Sequence, residues 1–209
     1  MSNDKRISLT HLDLLREIGT VGAGRAATAL AEMLNCKVDI ALPETKIIPL
    51  ESLDKILGNP EDVYFVLDIG VEGEIGGRIF FLLPPKEAKF LGSTLLGQDP
   101  EAVDTEDALF QSSLKEMVNI VTGAYMNALS DMSGLTIMYG IPSLAIDMVG
   151  ALLDFLFIQI AQHSDEAIFI KTRLQVKDIN FEGFFLFFPD MESLRKLFDV
   201  LGVKDAKNP

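Results

Sequence analysis

Glu116 and Asn119 follow Ser112 at a spacing that occurs twice in the chain, with one chemically decisive change. The second copy reads Ser112-x-x-x-Glu116-x-x-Asn119 and is followed by Pro142. The first reads Asp13-x-x-x-Glu17-x-x-Thr20 and is followed by Pro43. Each position of the second copy lies 99 residues after its counterpart. In a helix, residues i, i+4 and i+7 project from nearly one face, so each copy presents a polar stripe, with Lys115 beside the second. A carboxamide both donates and accepts, so it can hold a water and aim its lone pair at a phosphorus atom. Phosphoryl transfer needs mainly positioning and electrostatics, and a water-orienting amide plays this part in other phosphate-hydrolysing enzymes. A glutamate can meanwhile anchor a lysine of a partner. Such a pair cannot carry a full reaction alone, but it can complete one that a partner has nearly assembled.

The bland reading of each stripe is a solvated helix face. The duplication, the matched prolines and a shortage of other reactive groups weigh against it. His11 and His163 are the only histidines, which nearly excludes a His-based triad or a multi-His metal site. Ser112 and Ser113 lack a local base. No Walker-type loop and no calcium-loop spacing is present. Gly22-Ala-Gly24-Arg-Ala-Ala27 has the shape of a dinucleotide fingerprint, but it lies inside a helical pattern rather than after a strand, so it reads as packing glycine.

The elements that must carry the stripes follow from periodicity. Leu12, Leu15, Ile18, Ala26, Leu30 and Met33 predict an amphipathic helix over 10–35, with Thr10 as its cap. Segment 37–49 reads as a strand, 51–57 as a short helical piece, and 58–60 as a loop. Apolar runs at 63–68 and 77–83, joined by a turn at 71–74, predict a hairpin. A helix follows Pro84 and Pro85 and runs to Leu96-Gly97. The series then restarts. A helix is expected over 106–133, a strand over 136–141, a hairpin from 167–176 and 181–188, and a last helix opened by Pro189 and ending at Leu201-Gly202. Late in the repeat the offset grows to 105, about six extra residues in the second copy. The expectation is a pseudo-twofold α/β (α+β) fold with a largely antiparallel sheet and two long signature helices. It forms one domain over 1–209, built from repeats near 10–100 and 106–203.

Composition narrows the partners. The chain has 209 residues, 48% of them hydrophobic, and a formal net charge of −13 with no basic block. Nucleic acid is therefore a poor ligand. One cysteine, Cys36, excludes an internal disulfide and reads as a small core residue in a reducing compartment. The first residues lack the apolar core of a signal peptide. The stretch 144–160 is interrupted by Asp147 and Asp154, so no membrane insertion is expected. A cytoplasmic location follows as an expectation. The run Phe184–Phe188 predicts a strand covered on both faces, although self-association through it is an alternative, and oligomeric state stays open.

The signature Asp/Ser-x3-Glu-x2-Asn-x22-Pro resembles that of the CheC/CheX/FliY phosphatases of bacterial and archaeal chemotaxis. Ser112, Glu116, Asn119 and Pro142 match it in full. Asp13, Glu17 and Pro43 match in the first copy, where Thr20 replaces the asparagine. Two signature helices in a chain of this length are similar to the CheC branch. The resemblance implies that the substrate is the aspartyl phosphate of a CheY-type response regulator. Asn119 would place the attacking water, and Glu116 would bind the regulator's active-site lysine. It further implies that this chain binds no cofactor, that Mg2+ sits on the regulator, and that CheD is a possible second partner. Thr20 is shorter and stiff at χ1, so the Glu17 site is expected to be impaired or to serve docking alone. Two alternatives stand beside a phosphatase: a non-catalytic adaptor for a phospho-regulator or CheD, and a structural duplicated domain.

Overall fold

The computed structural model describes residues 9–41, 44–159, 166–176 and 179–201. Helix α1 (Leu9–Leu34) leads into two short strands, β1 (Val38–Ile40) and β2 (Glu44–Pro49). A 3-10 turn (Leu50–Ser52) and the one-turn helix α2 (Asp54–Leu57) precede the hairpin β3 (Val63–Gly73) and β4 (Gly77–Leu83), and α3 (Pro85–Leu96) closes the first copy. The second copy repeats the order as α4 (Ala108–Ser133), β5 (Ile137–Tyr139), β6 (Ser143–Met148), α5 (Val149–Gln159), β7 (Glu166–Val176), β8 (Ile179–Pro189) and α6 (Met191–Val200). The expected class, helices on a largely antiparallel sheet, is what forms.

Local chemistry sets the ends of the helix that carries Glu116 and Asn119. The Asp107 carboxylate accepts from the Leu109 and Phe110 N–H groups at 2.7 and 3.1 Å, satisfying donors that the first turn leaves orphaned. Gly134, at φ +70°, ends the helix in the left-handed conformation. Between these caps, Phe110, Leu114, Met117, Val118, Val121 and Leu129 are buried. The stripe on the other face is thereby held on a helix anchored along its length.

The sheet runs β1-β7-β8-β4-β3-β5, with β2 also on β7 and β6 also on β3, and every pairing is antiparallel. The two hairpins meet at β4 and β8 in the centre. Each hairpin's outer strand is covered by the short strands of the other copy: β1 and β2 lie on β7, and β5 and β6 lie on β3. Each half therefore completes the other's sheet edge, which removes unpaired backbone that a lone half would expose.

Two cores flank the sheet. On one face α1, α3, α4 and α6 bury Leu67, Ile69, Phe81, Phe185 and Phe187. On the other, the 3-10 turn, α2 and α5 cover Phe80, Leu82, Phe184, Leu186 and Phe188. The phenylalanine run thus alternates between two cores, as a strand covered on both faces must.

Several expectations need correction. Segment 37–49 is two strands rather than one. Strand β3 continues through 71–73, and the turn falls at 74–76, because β5 pairs with Val71, Glu72 and Gly73 and keeps them extended. Helix α1 already includes Leu9, so Thr10 lies within it and does not cap it. Pro189 ends β8, and the last helix is capped by the Asp190 carboxylate, which accepts from the Ser193 N–H at 2.8 Å. Helix α5 is eleven residues long where the first copy has a 3-10 turn and a single helical turn, so part of the second copy's extra length lies there. Pro43, His163 and Gly202 lie outside the described residues.

Candidate functional site

Helices α1 and α4 pack against each other, and the fit depends on a missing side chain. A Cβ on Gly22 would meet the Tyr125 ring at 2.5 Å and the Tyr125 Cα at 3.0 Å. The Arg25 guanidinium reaches across to Asp131 at 2.6 Å. Gly24 does no such packing, since a Cβ there would meet nothing within 4 Å. The expectation of packing glycines holds for Gly22 and is corrected for Gly24.

On α4, Ser112 and Glu116 are exposed and Asn119 is half-buried, all on the face opposite the core residues. Neither the Glu116 carboxylate nor the Asn119 carboxamide has a hydrogen bond or ion pair to another described residue. Pro142, in the link between β5 and β6, is buried and fixes the segment that follows the signature helix.

On α1 two of the three polar groups bond within their own helix. Asp13 and Glu17 are exposed, but Asp13 is paired with Arg16 at 3.0 Å. The Thr20 hydroxyl donates to the Arg16 carbonyl oxygen at 2.8 Å. That is the usual back-bond of a threonine inside a helix, and it takes the hydroxyl's one proton away from the exposed face. The two copies therefore differ in more than reach: one offers an amide with no partner among the described residues, the other a hydroxyl already bonded.

One group escaped the sequence reading. The Tyr139 hydroxyl lies where a Gly123 side chain would be, 2.5 Å from its ideal Cβ position. Gly123 continues the Ser112–Glu116–Asn119 stripe by one helical turn. The available signal was the constant offset, which sets Tyr139 opposite Ile40 three residues before each signature proline.

The arrangement holds no obvious metal set: among the described residues no group of three or more His, Cys, Asp or Glu side chains lies close enough to bind an ion. Nor, among the described residues, is any helix long and apolar enough to cross a membrane. An exposed carboxylate one turn from a free carboxamide can bind a cation and orient a water, which are complementary contributions to a reaction centred on another molecule.

The chain resembles known proteins in sequence and in fold. Residues 11–47 match the model of the CheC-like family. Over 206 residues the chain is 30% identical to the CheY-P phosphatase CheC of Bacillus subtilis (strain 168), spanning 97% of this chain and 99% of that one. Among solved structures, Thermotoga maritima FliY superposes with a TM-score of 0.76 at 17% identity, over 96% of this chain and all of that one. The FliM middle domain from H. pylori gives 0.64 at 13% identity, over 95% of this chain and all of that one. These two similarities concern the fold alone.

Proposed function

This chain belongs to the CheC-like family, and on that premise we propose that it is a phosphatase acting in trans on the aspartyl phosphate of a CheY-type response regulator. The observation that carries the reading is the paired presentation of Glu116 and Asn119, exposed or half-exposed on one face of a capped and core-anchored helix and without a bonding partner among the described residues. Glu116 accepts a lysine ammonium of the regulator and sets the docking register. The Asn119 carboxamide accepts a hydrogen bond from a water and aims that water's lone pair at phosphorus, in line with the aspartate leaving group. The gain is one of position: a water restrained to within about an ångström of the reacting geometry reacts on the order of 10²-fold faster than one that is not. Mg2+ belongs to the regulator, where it neutralises charge on the phosphoryl oxygens.

The first copy, with Glu17 exposed and Thr20 bonded to its own helix, docks without placing a water. CheD is a proposed second partner, tested by whether its addition changes the hydrolysis rate. The reading itself is tested by following decay of a phosphorylated CheY-type regulator in Mg2+, with and without this chain. Acceleration that is lost in Asn119→Ala while binding persists, and a Glu116→Ala variant that loses binding, are expected. Binding without any acceleration by the wild-type chain would leave an adaptor instead.

A further inference from the structure

We propose that Tyr139 is a positioning residue for Asn119, its hydroxyl holding the carboxamide through a bridging water; the inference rests on the phosphatase reading above. Tyr139 is the last residue of β5, where its backbone is fixed by antiparallel pairing with Val71 and by the neighbouring Gly140 N–H donating to the Gly70 carbonyl at 2.9 Å. Its ring packs partly buried against the helical core. The hydroxyl ends up in the space of the absent Gly123 side chain, 2.5 Å from the ideal Cβ. Helical side chains lean towards the N-terminus, so that space overlies the turn carrying Asn119 and Ile120. The hydroxyl has no hydrogen bond to another described residue. A phenol and a carboxamide on one face, with no direct hydrogen bond between them, are joined by a water at little cost.

The first copy lacks both halves of this arrangement. Thr20 stands at the position of Asn119 and Ile40 at that of Tyr139, while Gly24 faces open space. The amide and the phenol occur together in one copy and are missing together from the other. A tyrosine kept only for packing would not need its hydroxyl over the Asn119 turn.

Three variants test the contact. Tyr139→Phe keeps the ring and is expected to lower the maximal rate of regulator dephosphorylation roughly three- to tenfold, the range of one hydrogen bond, with KM and melting temperature unchanged. Gly123→Ala keeps the hydroxyl but displaces it, and should give the same loss. In an Asn119→Ala background neither change should matter further. A readout independent of activity is the side-chain NH2 resonance of Asn119 in the free protein, which should shift in Tyr139→Phe. An unmoved resonance overturns the contact. A moved resonance with an unchanged maximal rate, or a rate loss that persists in Asn119→Ala, overturns its role in the reaction. A wild-type chain that does not accelerate decay defeats the phosphatase reading and the role of Tyr139 in it, while the resonance still decides the contact.

Discussion

Moving the carboxamide from one signature helix to the other separates the chemistry of the site from its scaffold. In Asn119→Ala the second copy keeps Glu116 but loses the group that aims the water. The expected fall is about 10²-fold, close to 2.7 kcal/mol of barrier. Adding Thr20→Asn then builds the amide on α1. Thr20 is exposed, so the exchange displaces no packing. It removes the hydroxyl's bond to the Arg16 carbonyl at 2.8 Å, a back-bond whose loss the helix tolerates. The double variant should therefore recover to within about tenfold of wild type. The shortfall arises because Ile40 and the open surface at Gly24 offer no counterpart to the Tyr139 hydroxyl, worth about one hydrogen bond or roughly 1 kcal/mol. In the wild-type background the same Thr20→Asn change can add one site to one site, so it should raise turnover by no more than about twofold. Single-turnover decay of a phosphorylated CheY-type regulator, at saturating chain and in Mg2+, reads all four proteins. A double variant no faster than Asn119→Ala would refute the claim that the first copy presents an equivalent docking face.

Further perturbations probe the scaffold. Gly22→Ala places a Cβ 3.0 Å from the Tyr125 Cα, an atom that cannot rotate away, so the roughly 1 kcal/mol gain in helix propensity should be outweighed by overpacking of about 1–3 kcal/mol. Gly24→Ala, with nothing to meet, should be neutral or stabilising by up to about 1 kcal/mol, and urea denaturation distinguishes the two. Asp107→Ala removes the acceptor of two N–H groups at the start of α4 and should cost about 1 kcal/mol, with faster hydrogen exchange in that first turn. The Lys196 ammonium beside Glu74, reinforced by the Thr136 backbone N–H, holds the Glu74 carboxyl below its usual range. A depressed carboxyl pKa stabilises the fold above the unfolded value and loses that contribution as pH falls through the folded one. Lys196→Met should therefore lower the melting temperature near neutral pH, and the difference from wild type should vanish in acid.

What the sequence disclosed and what it hid divide along local and non-local lines. The long α4 was legible because its apolar residues recur at helical spacing, and the repeat was legible because both stripes and both prolines keep one offset. The burial of Phe184 to Phe188 was legible because a continuously apolar strand must be covered on both faces, but that elements of this chain rather than a partner cover both required coordinates. Helix α5 was missed: Val149–Gln159 is so apolar that no periodicity marks a face. The exchange of β1 and β2 onto β7, and of β5 and β6 onto β3, left no trace, since strand partners are chosen across the whole chain. The extension of β3 to Gly73 has the same cause, because its partner β5 comes from the other copy. At the site, the residue types and their shared face were readable. That Thr20 bonds its own helix, and that Tyr139 reaches over Gly123, required coordinates.

The asymmetry between the two copies is tested most directly by one pair of rates: decay of the phosphorylated regulator in the presence of Asn119→Ala and, separately, of Thr20→Ala. If Asn119 places the water, its loss lowers the rate about 10²-fold while Thr20→Ala stays within about twofold of wild type. A Thr20→Ala protein that loses half or more of its activity, beside an Asn119→Ala protein that loses little, would contradict it.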